Sequence, residues 1–299
     1  MSATALQVEY EPALVEAAVL AAVRERSEER SFLGERERAY EVADAEAREA
    51  RFTDLHARWF GRLALDAPFG VALAERAEVG AGCGRAVVAR AIAGGDESAD
   101  LRVTPDARPT LLVLVRAETV SRPPRLLAFL RHELVHVADM LDAGFGYEPQ
   151  ALGDEGSARG RLARDRYRAL WDAWVDGRLA RLGRAPSGVR AERLRDFARA
   201  FPALGEGTEP AFERFFGAER LRHAELAAFA TGAGSARPCP LCGLPAPRLQ
   251  PAPERLPGGA LAAIVRDFPV WAPGDGLCGR CAEIYVTRAG GGPRDEDAD

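Results

Sequence analysis

The stretch PPRLLAFLRHELVHVADML, residues 123–141, decides the fold of the chain around it. Its apolar residues recur at three- and four-residue spacing, which predicts one continuous amphipathic helix; they are Leu126, Leu127, Leu130, Leu134, Val137 and Leu141. Pro123 and Pro124 are tolerated in a first helical turn, and Gly144 and Gly146 follow the last apolar position. We therefore expect a helix that begins at the proline pair and ends before these glycines.

This helix carries the pattern H-E-x-x-H, formed by His132, Glu133 and His136. The four-residue spacing places both imidazoles on one face, one turn apart, so that their nitrogens can bind one Zn²⁺. Glu133 lies beside them and could act as the base toward a water that the zinc activates for hydrolysis of a peptide bond. The competing interpretation is a chance match on a surface helix. The location directly after a strand, and the presence of two of only four histidines in the motif, favour zinc.

The flanking sequence predicts an α+β fold. Three short apolar segments separated by turn-forming residues precede the motif helix and predict a small three-stranded sheet; they are residues 85–91, 99–103 and 110–115. Residues 13–63 show helical spacing and predict two or three helices. Further helices are expected after the motif helix, at residues 158–182, 189–201 and 211–229.

From residue 85 to residue 182 the chain resembles the zincin metallopeptidases, which place a small sheet before an H-E-x-x-H helix and a helical segment after it. The resemblance implies a zinc-dependent metallopeptidase. It also implies that the strand nearest the motif helix lies at the rim of the cleft and pairs with extended substrate. In this chain that strand would be residues 110–115.

The third ligand of the zinc is the open question, because a catalytic zinc needs three protein ligands and one open position. Among zincins, the gluzincins supply a glutamate from the next helix, in one branch with eighteen residues between it and the second histidine, and Glu155 stands at that spacing from His136. Asp172, on the helix expected at 158–182, is the alternative, as in zincins that use aspartate. The remaining candidates are His223, Asp176 and Glu148.

Other residues near the motif allow two interpretations each. Asp139 falls on the face of the motif histidines, where it could orient a ligand histidine or pair with an arginine as a surface acid. Tyr147 could donate a hydrogen bond to a developing oxyanion, or pack half-buried. The aromatic residues of the next helix are expected in the core, His56 in a structural role, and His223 on a helix surface; the aromatics are Tyr167, Trp171 and Trp174.

Two C-x-x-C pairs near the carboxy terminus predict a second zinc site, formed by Cys239, Cys242, Cys278 and Cys281. Four thiolates can close a tetrahedron around one Zn²⁺, and such a closed site stabilises a fold without taking part in chemistry. We expect a structural zinc ribbon here. Four unliganded thiols or two reversible disulfides are the alternatives.

Composition shifts divide the chain into four expected segments. They are a zincin-like domain with an amino-terminal helical segment at 1–230, a linker at 231–236, the zinc ribbon at 237–287, and a disordered acidic tail at 288–299. The combination of H-E-x-x-H and a zinc ribbon is also similar to the SprT-like proteases, which act on proteins at DNA. This chain departs from the SprT-like proteases in two ways: it lacks the third histidine that they have after the motif, and its net charge is −5.

Charge and composition set the remaining expectations. All of the basic residues are arginine, which codon bias of a GC-rich genome explains better than nucleic-acid binding. Residues 1–12 lack the features of a secretory signal, and no apolar run approaches a membrane span. We expect a cytoplasmic bacterial enzyme with a protein or peptide substrate, one catalytic and one structural Zn²⁺, and no nucleic-acid or membrane partner. A non-catalytic zinc-binding regulatory protein is the main alternative.

Overall fold

The computed structural model describes residues 6–105, 107–154, 156–232, 237–243, 245–246, 249 and 256–290. The helices are α1 (Pro12–Val23), α2 (Glu29–Tyr40), α3 (Ala45–Arg62), α4 (Ala67–Glu75), α5 (Ala77–Gly82), α6 (Ala117–Val120), α7 (Pro123–Leu141), α8 (Ala158–Arg181), α9 (Val189–Ala200), α10 (Thr208–Phe216), α11 (His223–Thr231), α12 (Gly258–Asp267) and α13 (Gly279–Gly290). The strands are β1 (Gln7–Tyr10), β2 (Arg85–Arg90), β3 (Ser98–Thr104), β4 (Ala107–Val115), β5 (Arg237–Pro238) and β6 (Pro245–Ala246). The chain is therefore a mixed helix and sheet protein, as expected from the sequence.

The main sheet has four strands in the order β1-β2-β4-β3, which corrects the expected three. β1 and β2 are parallel, β2 and β4 are parallel, and β3 is antiparallel to β4, with Ala99 opposite Val113. The additional strand, β1, is only four residues long and alternates between exposed and half-buried positions. It therefore has no apolar run from which a strand could be predicted.

The sheet order also corrects the expectation for the rim strand. Residues 110–115 belong to β4, which pairs with β2 on one side and β3 on the other. The edge strand beside α7 is β3. In antiparallel pairs, alternate residues direct their N–H and C=O groups away from the partner strand, so β3 presents backbone groups at its outer edge.

The motif helix α7 begins at Pro123, as expected, and fills the centre of the first core. Its residues Leu126, Leu130 and Leu134 are fully buried and pack with Trp59, Val113 and other apolar side chains of the sheet and the amino-terminal helices. This packing fixes the rotation of α7, and with it the direction in which the motif histidines project.

The chain forms two compact units that differ from the expected division at residues 231–236. The first contains the described residues of Met1–Pro149, Trp171–Arg193 and Glu213–His223. The second contains those of Gln150–Leu170, Leu194–Phe212 and Ala224–Asp299, so segments ahead of the cysteine module belong with it. Linker residues 233–236 and tail residues 291–299 lie outside the described residues, and α13 continues to Gly290, beyond the expected start of the tail.

Two helices occupy the region where one was expected at 211–229. α10 ends at Phe216 and α11 begins at His223, separated by a segment that contains Gly217. Five of the six intervening residues, GAERLR at 217–222, are of types that favour helices, which hides the break from a propensity argument. Of the helices that the structure describes, none combines the length and the apolar character that crossing a membrane requires.

Candidate metal centres

The two motif histidines project from one face of α7 toward the same point. Because residues four apart on a helix are neighbours, the rings lie with centroids 4.8 Å apart, and their Nε2 atoms are separated by 3.1 Å. His136 is buried and His132 is half-buried. The two nitrogens therefore supply two of the donors of a small cluster.

Asp172, on α8, completes this cluster. Its Oδ1 atom lies 3.1 Å from His136 Nε2 and 3.5 Å from His132 Nε2. Ligands bound tetrahedrally at about 2.0–2.1 Å from zinc are separated by about 3.3 Å, so the spacing of the three donors fits such an ion. Within the described part of the chain, Asp172 is the residue grouped with both histidines as a possible metal ligand. Glu155, the other leading candidate, lies outside the described residues.

A second aspartate of α8 binds the opposite nitrogen of the first histidine. Asp176 Oδ1 lies 2.8 Å from His132 Nδ1, and Asp176 Oδ2 accepts a hydrogen bond of 2.6 Å from Nε of Arg193. An acceptor at Nδ1 leaves Nε2 as the nitrogen with a lone pair for a metal. The structure thus gives Asp176 a role in orienting His132, although the sequence analysis included it only as a minor ligand candidate.

Electrostatics in this cluster favour a positive charge at its centre. Burial lowers the pKa of His132, but the hydrogen bonds and negative charges of Asp172 and Asp176 outweigh burial and raise the pKa to about 10. Burial likewise raises the pKa of the Asp172 carboxyl, but hydrogen bonds from both histidines outweigh it and hold the pKa far below its ordinary value. A site that stabilises a bound proton so strongly has the donors and charge that a cation requires.

Asp139 is buried, and both of its oxygens are occupied. Trp171 Nε1 donates to Asp139 at 2.8 Å, and the Arg178 guanidinium binds it with two contacts of 2.8 and 2.5 Å. The carboxylate bonded to a motif histidine is that of Asp176 instead. Trp171 links Asp139 to His136, because its ring also packs edge-on against the His136 ring with centroids 4.4 Å apart.

Glu133 points to the outer edge of the sheet. Its Oε2 atom accepts a hydrogen bond of 2.9 Å from the backbone N–H of Ala99 in β3. This amide is one of the outward-facing groups of the edge strand, so the contact joins the motif helix to the edge of the sheet. The carboxylate that the sequence analysis assigned as general base is therefore anchored through one oxygen.

Tyr147 packs beside the cluster, with its ring 5.4 Å from Trp171 and 5.5 Å from His223. Its side chain is exposed, at 36%, and these ring contacts do not assign it an oxyanion role. His223 is buried, which corrects its expected surface location, and burial lowers its pKa. It bonds with the backbone of Glu148, so these two ligand candidates lie beside each other.

The four cysteines of the carboxy-terminal module form a second cluster. Their sulfurs all lie within 4.8 Å of one another, with 3.9 Å between Cys239 and Cys281 and 3.8 Å between Cys242 and Cys278. Sulfurs bound tetrahedrally at about 2.3 Å from zinc are separated by about 3.8 Å, so the cluster fits one Zn²⁺.

Backbone amides favour negative charge at one cysteine of this cluster, Cys239. Burial raises the pKa of the Cys239 thiol, but hydrogen bonds from the amides of Cys278, Cys242 and Leu241 outweigh it and lower the pKa to about 6. The thiolate is the form of cysteine that binds metals, so the backbone favours the ligand form at Cys239. Burial and the neighbouring thiols instead raise the pKa of Cys278 and Cys281.

The module differs from the expected ribbon at its second cysteine pair. Cys239 and Cys242 lie between the short paired strands β5 and β6, as expected for a knuckle. Cys278 immediately precedes α13 and Cys281 lies in its first turn, so a helix amino terminus supplies the second pair. The segment between the two cysteine pairs contains α12, whose residues Ala260 and Ile264 are buried with Trp271 in a small core.

At the first cluster, Asp176 was predicted only as a minor ligand candidate, and Arg193 was not predicted at all. The i, i+4 spacing of Asp172 and Asp176 repeats that of the histidines, and this signal could have identified them as a pair. Arg193 carries no such signal, because an arginine in an arginine-rich chain is not distinctive. Its role depends on how α9 meets α8, which only the folded chain defines.

Comparison with known proteins adds no relative to this picture: no protein-family profile, no curated protein and no solved structure matches the chain.

Proposed function

We propose that the chain is a zinc-dependent peptidase of the zincin type, with a second, structural zinc in the carboxy-terminal module. The observation that supports this proposal best is the convergence of His132 Nε2, His136 Nε2 and Asp172 Oδ1 at distances of 3.1–3.5 Å. Three protein donors of this kind leave one position open, whereas the four cysteines close theirs. Chemistry is therefore assigned to the first site and folding to the second.

The residues of the first site have separate tasks in this proposal. Zinc, when bound by the three donors, polarises a carbonyl group and makes water a stronger acid. Glu133, anchored to the Ala99 amide through Oε2, uses its other oxygen to take a proton from the attacking water and pass it to the leaving amine. Asp176 keeps His132 in the tautomer that binds metal.

The outer edge of β3 is the place where we propose that the peptide substrate binds. β3 pairs with β4 along one side, and the Ala99 amide shows that its other side faces Glu133. An extended peptide that pairs with this edge would lie next to the motif helix. This proposal replaces residues 110–115, because β4 has no free edge.

Metal content tests the metal part of the proposal. We expect two zinc ions per purified chain, and we expect His132→Ala to remove one while the cysteine site keeps the other. A chain that holds zinc only at the cysteines would contradict the assignment of the first site.

Cleavage of unfolded casein tests the activity. We expect chelator-sensitive cleavage, and Glu133→Gln should lower its rate by about 10²–10⁴-fold while leaving two zinc ions bound, since general-base catalysis contributes about that much. Two bound zinc ions without any cleavage would favour the alternative of a non-catalytic zinc-binding protein. Salt-sensitive retention on single-stranded DNA would instead favour a protease of the SprT-like kind.

A further inference from the structure

One guanidinium group lies behind both aspartates of the histidine–aspartate cluster. Arg193 Nε donates a hydrogen bond of 2.6 Å to Asp176 Oδ2, and Arg193 Nη1 lies 4.0 Å from Asp172 Oδ2. All three side chains are mostly screened from solvent, with Asp176 at 3% and the other two at 21% exposure of their side chains. The contacts are therefore less weakened by water than those of a surface ion pair.

Each aspartate uses its two oxygens for different partners. Asp172 directs Oδ1 toward the histidine nitrogens and Oδ2 toward Arg193. Asp176 directs Oδ1 toward His132 Nδ1 and Oδ2 toward Arg193. The arginine thus lies on the side of both carboxylates that faces away from the donor cluster.

We propose that Arg193 is a positioning residue that limits Asp172 to binding the metal through one oxygen and keeps Asp176 in place as the acceptor for His132. Holding Oδ2 of Asp172 away from the cluster prevents that oxygen from occupying a further coordination position. Hydrolysis requires one open coordination position on the metal. That position then stays open because there are only three protein ligands and because Arg193 holds the second oxygen of Asp172 away from it. This inference rests on the proposed function, because it needs a metal at the first site.

Removing Arg193 should change the metal affinity of the first site in opposite directions, depending on whether Arg193 acts by positioning the aspartates or only by its charge. A positive group close to a cation site repels the cation, so removing it should strengthen metal binding if charge alone mattered. If Arg193 positions the two aspartates, removing it frees both carboxylates to rotate, and metal binding should weaken. Loss of residues that orient metal ligands typically costs about 10–100-fold in affinity.

The experiment compares Arg193→Gln with Arg190→Gln in the full-length chain whose cysteine site is filled with zinc. Arg190 lies on the same helix, α9, and its guanidinium donates a hydrogen bond to Glu213. The first site is emptied and titrated with Zn²⁺ against a competing chelator, and then with Co²⁺, whose visible spectrum reports the number of bound ligands. We expect a 10–100-fold loss of Zn²⁺ affinity and a weaker, higher-coordinate Co²⁺ spectrum for Arg193→Gln, and neither change for Arg190→Gln.

Arg193→Lys gives a second, independent test. It keeps the charge but lacks the planar fork that reaches two carboxylates, so its affinity should also fall. Unchanged or tighter Zn²⁺ binding in both Arg193 variants, with a wild-type Co²⁺ spectrum, would overturn the positioning role while leaving the proposed function intact. If the wild-type chain binds no metal at the first site, the proposed function and this inference both fail.

Discussion

His56 is a titratable residue held in an apolar environment. Its ring is 3% exposed and lies near Phe32 and Phe52, and its Nε2 has no hydrogen-bond partner among the residues that the structure describes. Burial lowers the pKa of His56 below its ordinary value of 6.5, because the charged ring is poorly solvated there. Folding therefore favours the neutral ring, and protonation favours the unfolded chain.

The pH dependence of stability should show this effect. The contribution of neutral His56 is present above pH 6.5 and is lost as the pH falls through the lowered pKa of the folded state. We expect His56→Phe to reduce the loss of unfolding free energy between about pH 8 and about pH 5, measured by denaturant unfolding. An identical pH profile for both proteins would show that His56 does not titrate differently on folding.

The contact between Glu133 and the edge strand makes a separate prediction. The Ala99 amide donates to the Glu133 carboxylate, and it should therefore exchange its hydrogen slowly although it lies on an unpaired strand edge. Glu133→Gln retains an acceptor oxygen and should keep this protection, whereas Glu133→Ala should lose it. The amide exchange of Ala99, followed by NMR, distinguishes these outcomes; fast exchange in the wild-type chain would contradict the contact.

For single residues, the spacing within one helix was predictable from the sequence, and the contacts between helices were not. The four-residue interval from His132 to His136 places two donors together in any helix, so the pair followed from the sequence. Asp172 could only be named as a candidate, since its approach depends on the packing of α8. Asp139 shows the limit clearly. The sequence left open whether it orients a histidine or pairs with an arginine, and in the structure its carboxylate accepts hydrogen bonds from Trp171 and Arg178.

The position of α8 depends on a close approach to the turn after α10. Gly177 lies so near this turn that an added Cβ would be 1.9 Å from the Phe216 carbonyl oxygen. In the same region Arg181 donates to the carbonyl oxygens of Phe216 and Ala218, and Trp174 Nε1 donates to that of Ala218. A glycine at 177 is what permits these bonds, which hold the helix that carries Asp172 and Asp176.

Gly177→Ala should therefore lower the free energy of unfolding by about 1–3 kcal/mol, the usual cost of overpacking, and weaken metal binding at the first site. Gly61→Ala in α3 is the matched control. It has no neighbouring atom within 4 Å of an added Cβ, and alanine is favoured over glycine inside a helix, so stability should rise by about 0.5–1 kcal/mol. Thermal and denaturant unfolding of both variants measure the difference, and a neutral Gly177→Ala would show that α8 has room to shift.

Long elements were easier to predict than short ones. The expected helices at 123–141 and 158–182 match α7 and α8 within a residue, because many periodic positions support each one. β1 and the short helices α4 to α6 have too few residues to show a period. Because β1 was not predicted, the order of the sheet could not be derived from the three predicted strands. The free edge at β3 therefore could not be predicted either.

At the scale of the whole molecule, the two candidate metal-binding clusters belong to different compact units. His132, His136 and Asp172 lie in the first unit, and the four cysteines lie in the second. Each cluster is accompanied by a hydrophobic core of its own unit, a large one around α7 and a small one around Ile264 and Trp271. The sequence predicted two metal sites of different chemistry, but the chain segments that form each unit alternate along the sequence, which a search for linkers cannot detect.

This division predicts that loss of the structural metal affects only part of the chain. Cys242 is the exposed member of its cluster, so Cys242→Ser removes a ligand with little loss of packing. We expect a module with so small a core to need a bound metal in order to fold. Peptides from α12 and α13 should therefore exchange hydrogen rapidly in Cys242→Ser, while peptides from α7 and the four-stranded sheet keep their protection.

His132→Ala is the reciprocal variant in the same hydrogen-exchange measurement by mass spectrometry. It removes a donor from the first unit, so α12 and α13 should remain protected and the cysteine zinc should stay bound. Loss of protection throughout the chain in Cys242→Ser would show that the two units unfold together. Unchanged protection in α12 and α13 would show that Ile264, Trp271 and their neighbours hold the module without a metal, and the cysteine cluster would then need a different explanation from folding.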